Sequence, residues 1–360
     1  MSERSRVVVI AEAGVNHNGS LDRARALVDA AVAAGADIVK FQTFRADRIA
    51  TRAAAKAEYQ KSDGAAESQH AMLERLELDE AAHAVLVPYC AERGIEFLST
   101  PFDLPSVDLL VRRHALARLK ISSGDLTNGP LLLHAARSGA ALILSTGMAD
   151  LGEVEAALGV VAFGLTDPAA LPGEAAFEAA YASAAGQQLL RARVTLLHCT
   201  SQYPAPAATV NLRAMDTLHG AFGLAVGYSD HTLGTTVAVA AAARGAVMIE
   251  KHFTLDRSLP GPDHQASLEP DELRRMVAAI RETEAALGSP RKAPVAGEIA
   301  MRAVARKCLV AARAIGRGEA FTAENLTTKR APGGVAAMRY WEALERTADR
   351  DYAADEPILL

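Results

Sequence analysis

Cysteine is scarce in this chain of 360 residues. The three present, Cys90, Cys199 and Cys308, are far apart and odd in number, which excludes a disulfide framework and fits a reducing, cytoplasmic setting. Long apolar runs are also missing. The first, Val7 to Ile10, is too short for a signal peptide or a membrane span, and no later segment reads as one. There is no excess of basic charge either. The formal net charge of −5 argues against a nucleic-acid partner, although a local basic pocket is compatible with it. What is abundant is apolar residue, 50% against 22% charged, enough for a substantial buried core. The length exceeds one small domain and fits a barrel of roughly 250 residues plus a smaller module.

The stretch from Gly223 to Ser267 organises the chain. Two apolar runs, Leu224–Tyr228 and Ala246–Ile249, end in Ser229-Asp230-His231 and Glu250-Lys251-His252. An Ala/Val-rich segment from Thr235 to Arg244 lies between them and is long enough for a helix. Strand, helix, strand makes a βαβ unit whose parallel strands end on one side, so both imidazoles reach one rim. The loop after the second run, Leu259 to His264, adds the carboxylate of Asp263. Two neutral imidazoles with oxygen ligands nearby suit a divalent transition metal; two unrelated polar strand ends would look the same in sequence.

The same unit recurs. Short apolar runs begin at Val7, Asp37, Ile95, Arg118, Ala141 and Arg193, separated mainly by helical patterns. Ser20 caps the first helix and Gly35 stops it. With the two runs above, eight parallel strands are expected, and with them an α/β fold of the (β/α)₈ TIM-barrel type. Glu12, Lys40, Thr100, Lys120, Ser145, Ser201, Ser229, His231 and His252 all lie at or just past a run. In such a barrel that rim carries the active site. Strand termination alone would explain Ser and Thr, but it explains lysines at apolar strand ends poorly.

The polar stretch 45–67 reads as a loop or lid, and Gln69 to Arg93 as one amphipathic helix. After a last barrel helix ending at Leu287, residues 288–300 read as a linker and 301–360 as a small module with Tyr340 and Trp341 in its core.

Lys40 and Lys120, with the hydroxyl and backbone donors of Ser122-Ser123-Gly124 and Ser145-Thr146-Gly147, suit a small phosphate and a carboxylate. Glu12 is the titratable partner for proton transfer, and a metal at His231 and His252 would polarise a carbonyl. This combination suggests condensation of a phosphorylated three-carbon acid with an aldehyde, without selecting it over other reactions.

The segments Ala11 to Gly19, Val39 to Phe44, Ser99 to Asp103, Ser145 to Met148, His198 to Pro204, Gly227 to Leu233 and Glu250 to Thr254 closely resemble the sialic (nonulosonic) acid synthase family. Residues Arg306 to Asp351 resemble that family's antifreeze-like (SAF, β-clip type) domain. The resemblance implies an enzyme that joins phosphoenolpyruvate (PEP) to an open-chain N-acetylhexosamine and releases phosphate. It implies PEP contacts from Lys40, Gln42, Thr100, Lys120, Ser123, Ser145 and Ser229. It implies Mn²⁺ or Mg²⁺ on His231 and His252, acid–base work by Glu12 with Glu250 as a second candidate, and sugar contacts from Ser201, Tyr203 and Asp263. It further implies a domain-swapped homodimer in which Arg330 binds the acylamino group in the partner's site. Ser201 stands where sialic acid members often carry Asn, and Ser201-Gln-Tyr-Pro-Ala-Pro206 is more similar to the legionaminic or pseudaminic branches, whose substrates are 6-deoxy diacetamido sugars. Pro332 falls one place later after Arg330 than is usual. The rival readings are a metal-dependent barrel hydrolase, whose common His-x-His pair on the first strand is missing, and a non-catalytic carbohydrate-binding protein.

His17 is read as shaping the rim turn or making a structural hydrogen bond, and Cys199 as packing. His70, His83, His114, His134 and His219 are expected at surfaces or helix caps.

Overall fold

The computed structural model describes residues 6–56 and 68–360. By contacts the chain divides into two compact units, Met1–Gly288 and Ser289–Leu360. The first is a near-closed barrel. Its strands are β1 (Val8–Gly14), β2 (Ile38–Thr43), β3 (Glu96–Pro101), β4 (Arg118–Ile121), β5 (Ala141–Ser145), β6 (Val194–Cys199), β7 (Ala225–Asp230) and β8 (Met248–His252). They pair in parallel in the order β3-β2-β1-β8-β7-β6-β5-β4, and the two end strands lie against each other.

Most strands run past their apolar residues. β1 continues to Gly14 and β8 to His252, so Glu12 and His252 are ladder residues paired with each other. Parallel ladder bonds continue because a polar interior layer takes over where the apolar one ends. Ile10, Ile38, Leu98, Ile143, Leu197 and Met248 form the apolar layer inside the barrel. Two residues further along the same strands stand Glu12, Lys40, Thr100, Ser145, Cys199 and Glu250, all buried. The strand period of two makes them the next inward-facing layer. Strand residues of opposite phase, such as Val9, Ala11, Val39 and Leu144, pack outward against the helices in the main core.

Ser20 caps the helix Leu21–Ala34 by accepting from the Arg23 N–H, and Gly35 closes it at φ 79°. The single helix expected over 69–93 is two, Gln69–Glu74 and Glu80–Glu92, because Asp79 caps the second by accepting from the Ala82 N–H. Part of the expected loop 45–67 is helical at Ala46–Ile49; its residues 57–67 lie outside the described residues. His83 departs from expectation too. It is buried, hydrogen-bonding Thr43 Oγ1 through Nε2 at 2.8 Å.

In the second unit, β9 (Cys308–Ala311) and β10 (Leu326–Lys329) pair antiparallel over a core that includes Leu309, Phe321, Leu326, Tyr352 and Ile358. Residues 296–300 of the expected linker belong to a helix, Ala296–Ala305. Tyr340 packs against the core, but Trp341 is 69% exposed: a unit this small closes its core without the indole. Among the described residues no helix is long and apolar enough to cross a membrane.

Candidate active site

Alternating inward residues of neighbouring strands build a buried charge cluster at the rim. Lys40 Nζ lies 2.8 Å from Glu12 Oε2 and 3.6 Å from Glu250 Oε2. Lys120 Nζ lies 3.1 Å from Glu250 Oε1, which also accepts from Ser229 Oγ at 2.8 Å. Lys40 donates to Thr100 Oγ1 at 3.1 Å, and Gln42 donates to Glu12 Oε1 at 3.5 Å. Two ammonium groups against two carboxylates balance the local charge, as deep burial requires. Burial nevertheless pushes Glu12 up to about 7 against the pull of Lys40. Burial also acts to raise Glu250, but Lys120 and Lys40 outweigh it and hold this carboxylate well below the usual range. Lys120 is depressed by burial, whereas at Lys40 the neighbouring carboxylates overcome burial and raise it. The pair Glu12 and Glu250 thus has one member that can carry a proton near neutrality and one fixed as an anion.

The imidazoles stand just past β7, at His231, and at the end of β8, at His252. Their ring centroids are 5.5 Å apart, and the Tyr203 ring lies 4.0 Å from that of His231. His231 Nδ1 donates to the Thr200 carbonyl at 2.7 Å, which leaves Nε2 with the lone pair in the neutral ring. His252 Nδ1 is buried without a hydrogen-bond partner among the described residues, 3.8 Å from Asp263 Oδ2. Burial, with His231 next, holds His252 well below its usual value and so keeps it neutral. Burial pushes Asp263 up to about 6. Among the described residues no group of three or more His, Cys, Asp or Glu is arranged to hold a metal. The donor set fits a divalent ion held by two imidazoles, with its other positions left to water or substrate oxygen.

The barrel residues expected to contact PEP, sugar or metal line one cavity of about 640 Å³, whereas Thr146, whose Oγ1 donates to the Leu197 carbonyl at 3.0 Å, and Gly147 do not. Besides the groups above it takes in Ser123, Ser145 and Ser201. Ser123 Oγ accepts from the Gly147 N–H at 3.0 Å, and the buried Ser145 Oγ has no hydrogen-bond partner among the described residues. Arg330 belongs to the other unit, where it is exposed just beyond β10.

The NeuB family model matches residues 27–292, and the SAF domain model matches residues 306–360. The chain belongs to the NeuB family. It is 46% identical to the N,N'-diacetyllegionaminic acid synthase of Campylobacter jejuni, over 98% of this chain and 99% of that protein. It is 45% identical to the protein of the same name from Legionella pneumophila, over 91% and 86%. Among solved structures it resembles an N-acetylneuraminic acid (sialic acid) synthetase from Leptospira borgpetersenii. That match has 31% identity and a TM-score of 0.66, covering 83% of this chain and 92% of that one.

This NeuB-family cavity holds residues that sequence reasoning passed over. Phe44, Arg48, Ile49, Gln69, Leu73 and Phe102 line its mouth. Phe44 and Phe102 fall inside segments that carried the resemblance; for the other four the only signal was the unexplained length between β2 and β3. Cys199 reaches the interior layer, with Sγ 3.7 Å from His231 Nδ1. His17 is a structural residue: its Nδ1 accepts from the Gly19 N–H at 2.9 Å, and burial pushes it down to about 3.

Proposed function

We propose that this NeuB-family enzyme condenses PEP with an open-chain N-acetylhexosamine and water, giving a nine-carbon 2-keto sugar acid and phosphate. The observation that carries this reading is the meeting of Lys40, Lys120, Glu12, Glu250, His231 and His252 around one cavity. The synthase relatives support it, and the 46% identity to a diacetyllegionaminic acid synthase favours a 6-deoxy diacetamido sugar over N-acetylmannosamine.

Lys40 and Lys120, with Thr100, Ser123, Ser145 and Ser229, hold the phosphate and carboxylate of PEP, and Gln42 completes that wall. Tyr203, Ser201 and Asp263 orient the sugar chain so that its C1 faces C3 of PEP. C3 attacks C1, forming the new carbon–carbon bond as the aldehyde π bond opens; C2 is left cationic, and the aldehyde oxygen becomes a hydroxyl with one of the two protons that the water gives up. Water then adds at C2, the C2–O bond to phosphate breaks, and the ketone remains. Glu12, titrating near neutrality, can take a proton from that water, while Glu250 stays anionic opposite the cation developing at C2. Mn²⁺ or Mg²⁺ on His231 and His252 would supply Lewis-acid polarisation of the aldehyde oxygen. The test is phosphate release from PEP with a panel of hexosamines, with and without Mn²⁺, and the mass of each product. A folded, metal-binding protein that releases phosphate with no hexosamine overturns the proposal and leaves the hydrolase and binding-protein readings.

A domain-swapped homodimer completes this reading. Exposed apolar groups are frequent in the C-terminal unit, with Ile299, Met301 and Val304 on one helix and Met338 and Trp341 further on. Such a surface suits a second copy of the chain. Mixing Arg330→Ala with His252→Ala subunits tests it: only a swapped dimer regains one site intact in both residues. Three buried unpaired cysteines fit a cytoplasmic location.

A further inference from the structure

Two rim loops grip each other beside the imidazoles. One follows β1 and holds Asn16 and Asn18; the other follows β8 and holds Asp263 and His264. Asn18 Nδ2 donates to the Pro260 carbonyl at 2.7 Å, and its Oδ1 lies 3.2 Å from His264 Nε2. On the other side of the ring, His264 Nδ1 lies 2.6 Å from Thr254 Oγ1, and both residues are fully buried. A neutral imidazole has one donor and one acceptor nitrogen. Asn18 Oδ1 can only accept, so Nε2 carries the proton and Nδ1 accepts from the Thr254 hydroxyl. Both ring nitrogens are then satisfied, as burial requires.

The backbone allows this meeting. Asn18 has φ 49°, in the left-handed region that asparagine adopts more readily than most residues. Gly261 has φ 146°, and a Cβ there would lie 2.7 Å from His264 Cδ2 and 2.9 Å from Asn18 Oδ1. A second set of bonds anchors the same loop. Asn16 Nδ2 donates to the Phe253 carbonyl at 2.8 Å and to Ser267 Oγ at 3.0 Å, and Ser267 Oγ donates to the Asp263 carbonyl at 2.6 Å.

Asp263 is caught between these two anchors. Its carbonyl is held through Ser267 and Asn16, and the side chain that follows it is held by Asn18 and Thr254. Residues 255–263 form no helix or strand that would fix it otherwise. Its carboxylate reaches the cavity, with Oδ2 3.8 Å from His252 Nδ1. A Cβ added at Gly14 would meet that same oxygen at 3.4 Å and Glu12 Oε1 at 3.3 Å, so the carboxylate also stands beside Glu12. We propose that Asn18, Gly261 and His264 form a clamp that sets the place of the Asp263 carboxylate, which makes Asn18 and His264 positioning residues for the sugar half of the site. The proposal rests on the synthase reading above, in which Asp263 orients the sugar chain.

The test uses the full-length enzyme and two variants. Asn18→Gly keeps the left-handed backbone and removes the amide; His264→Ala removes the ring. Rates are measured with each substrate varied in turn, and folding is checked by circular dichroism. In both variants kcat/KM for the hexosamine should fall about tenfold or more. KM for PEP should stay within about twofold, because Lys40, Thr100, Lys120 and Ser145 come from β2 to β5 and not from the clamped loops. Each change is then combined with Asp263→Asn. A clamp that works through Asp263 should cost that variant less than about a further twofold. A double variant that shows the product of the two single losses, a KM for PEP that rises as much as that for the sugar, or no change in the single variants overturns the clamp and leaves the synthase reading standing. Asn18 is only half-buried, so Asn18→Gly keeps the test readable if His264→Ala fails to fold. A wild-type enzyme that turns over no hexosamine removes both.

Discussion

Lys251 sits between the two residues that matter most on β8, Glu250 and His252, yet it faces away from the cavity. Its Nζ lies 2.8 Å from Asp230 Oδ2 and donates to the Thr232 carbonyl, and the two side chains are 1% and 0% exposed. Asp230 Oδ1 accepts from Tyr228 OH, Thr232 N–H and Thr232 Oγ1 at 3.1, 2.9 and 2.8 Å. This pair staples the ends of β7 and β8, one residue away from each imidazole. Burial outweighs the attraction of Asp230 and holds the lysine below its usual range, so the pair itself adds little net stability. Breaking it is a different matter. Lys251→Met leaves a buried carboxylate without its counter-ion and should cost about 3–5 kcal/mol. At about 2–4 °C per kcal/mol for a unit of this size, the barrel's melting temperature should fall by roughly 6–20 °C. In the double variant Asp230→Asn, Lys251→Met, the amide oxygen still accepts from Tyr228 and Thr232, its NH₂ can donate to the Thr232 carbonyl, and no charge is buried. Most of the loss should return. Calorimetry of the wild type, the single variant and the double variant, with Mn²⁺ titrations followed by electron paramagnetic resonance, reads both stability and imidazole placement. A single variant that loses less than about 1 kcal/mol, or a double variant less stable than the single, would refute the reasoning.

Three further outcomes are expected. Gly147→Ala should lower kcat/KM at least about tenfold with little change in melting temperature, because its Cβ would lie 2.3 Å from Ser201 Oγ and 2.8 Å from Ser123 Oγ. Glu12 is raised from 4.5 to about 7 by burial, so the fold favours its protonated form; the stability this gives is complete below pH 4.5 and is lost as pH rises through about 7. Differential scanning fluorimetry of the metal-free protein should accordingly show a decline over that window which Glu12→Gln flattens. His252→Ala should weaken Mn²⁺ binding in calorimetric titration and abolish turnover while the circular dichroism spectrum is retained, and chelation of the native enzyme should abolish turnover reversibly.

Much of the barrel was legible because each unit is local. An apolar run, a polar tip and a capped helix suffice, as Ser20 and Gly35 illustrate. The rim residues were legible because the barrel fold assigns strand ends to one face. Strand lengths were not: polar residues that look like strand terminators in sequence, Glu12, Glu250 and His252, are ladder residues here. They remain in the strand because their neighbours neutralise them, and the neighbours come from other strands. The apolar mouth escaped notice for a similar reason. Phe44, Leu73 and Phe102 carry no periodic signal, and their common wall exists only because the ends of β2 and β3 are adjacent. Burial of His83 and exposure of Trp341 likewise depend on what packs nearby, which neither residue type specifies.

The sequence by itself determined the number of strand units, their parallel sense and the rim to which the chemistry belongs. Tertiary structure alone decided the phase. Lys40 and Lys120 point into the barrel and Lys251 points out of it, although all three end apolar runs. A strand alternates its faces, and only its register against neighbouring strands fixes which face is inward. One residue of slip would exchange Glu250 for Lys251 in the cavity, and the four-charge cluster would lose its balance.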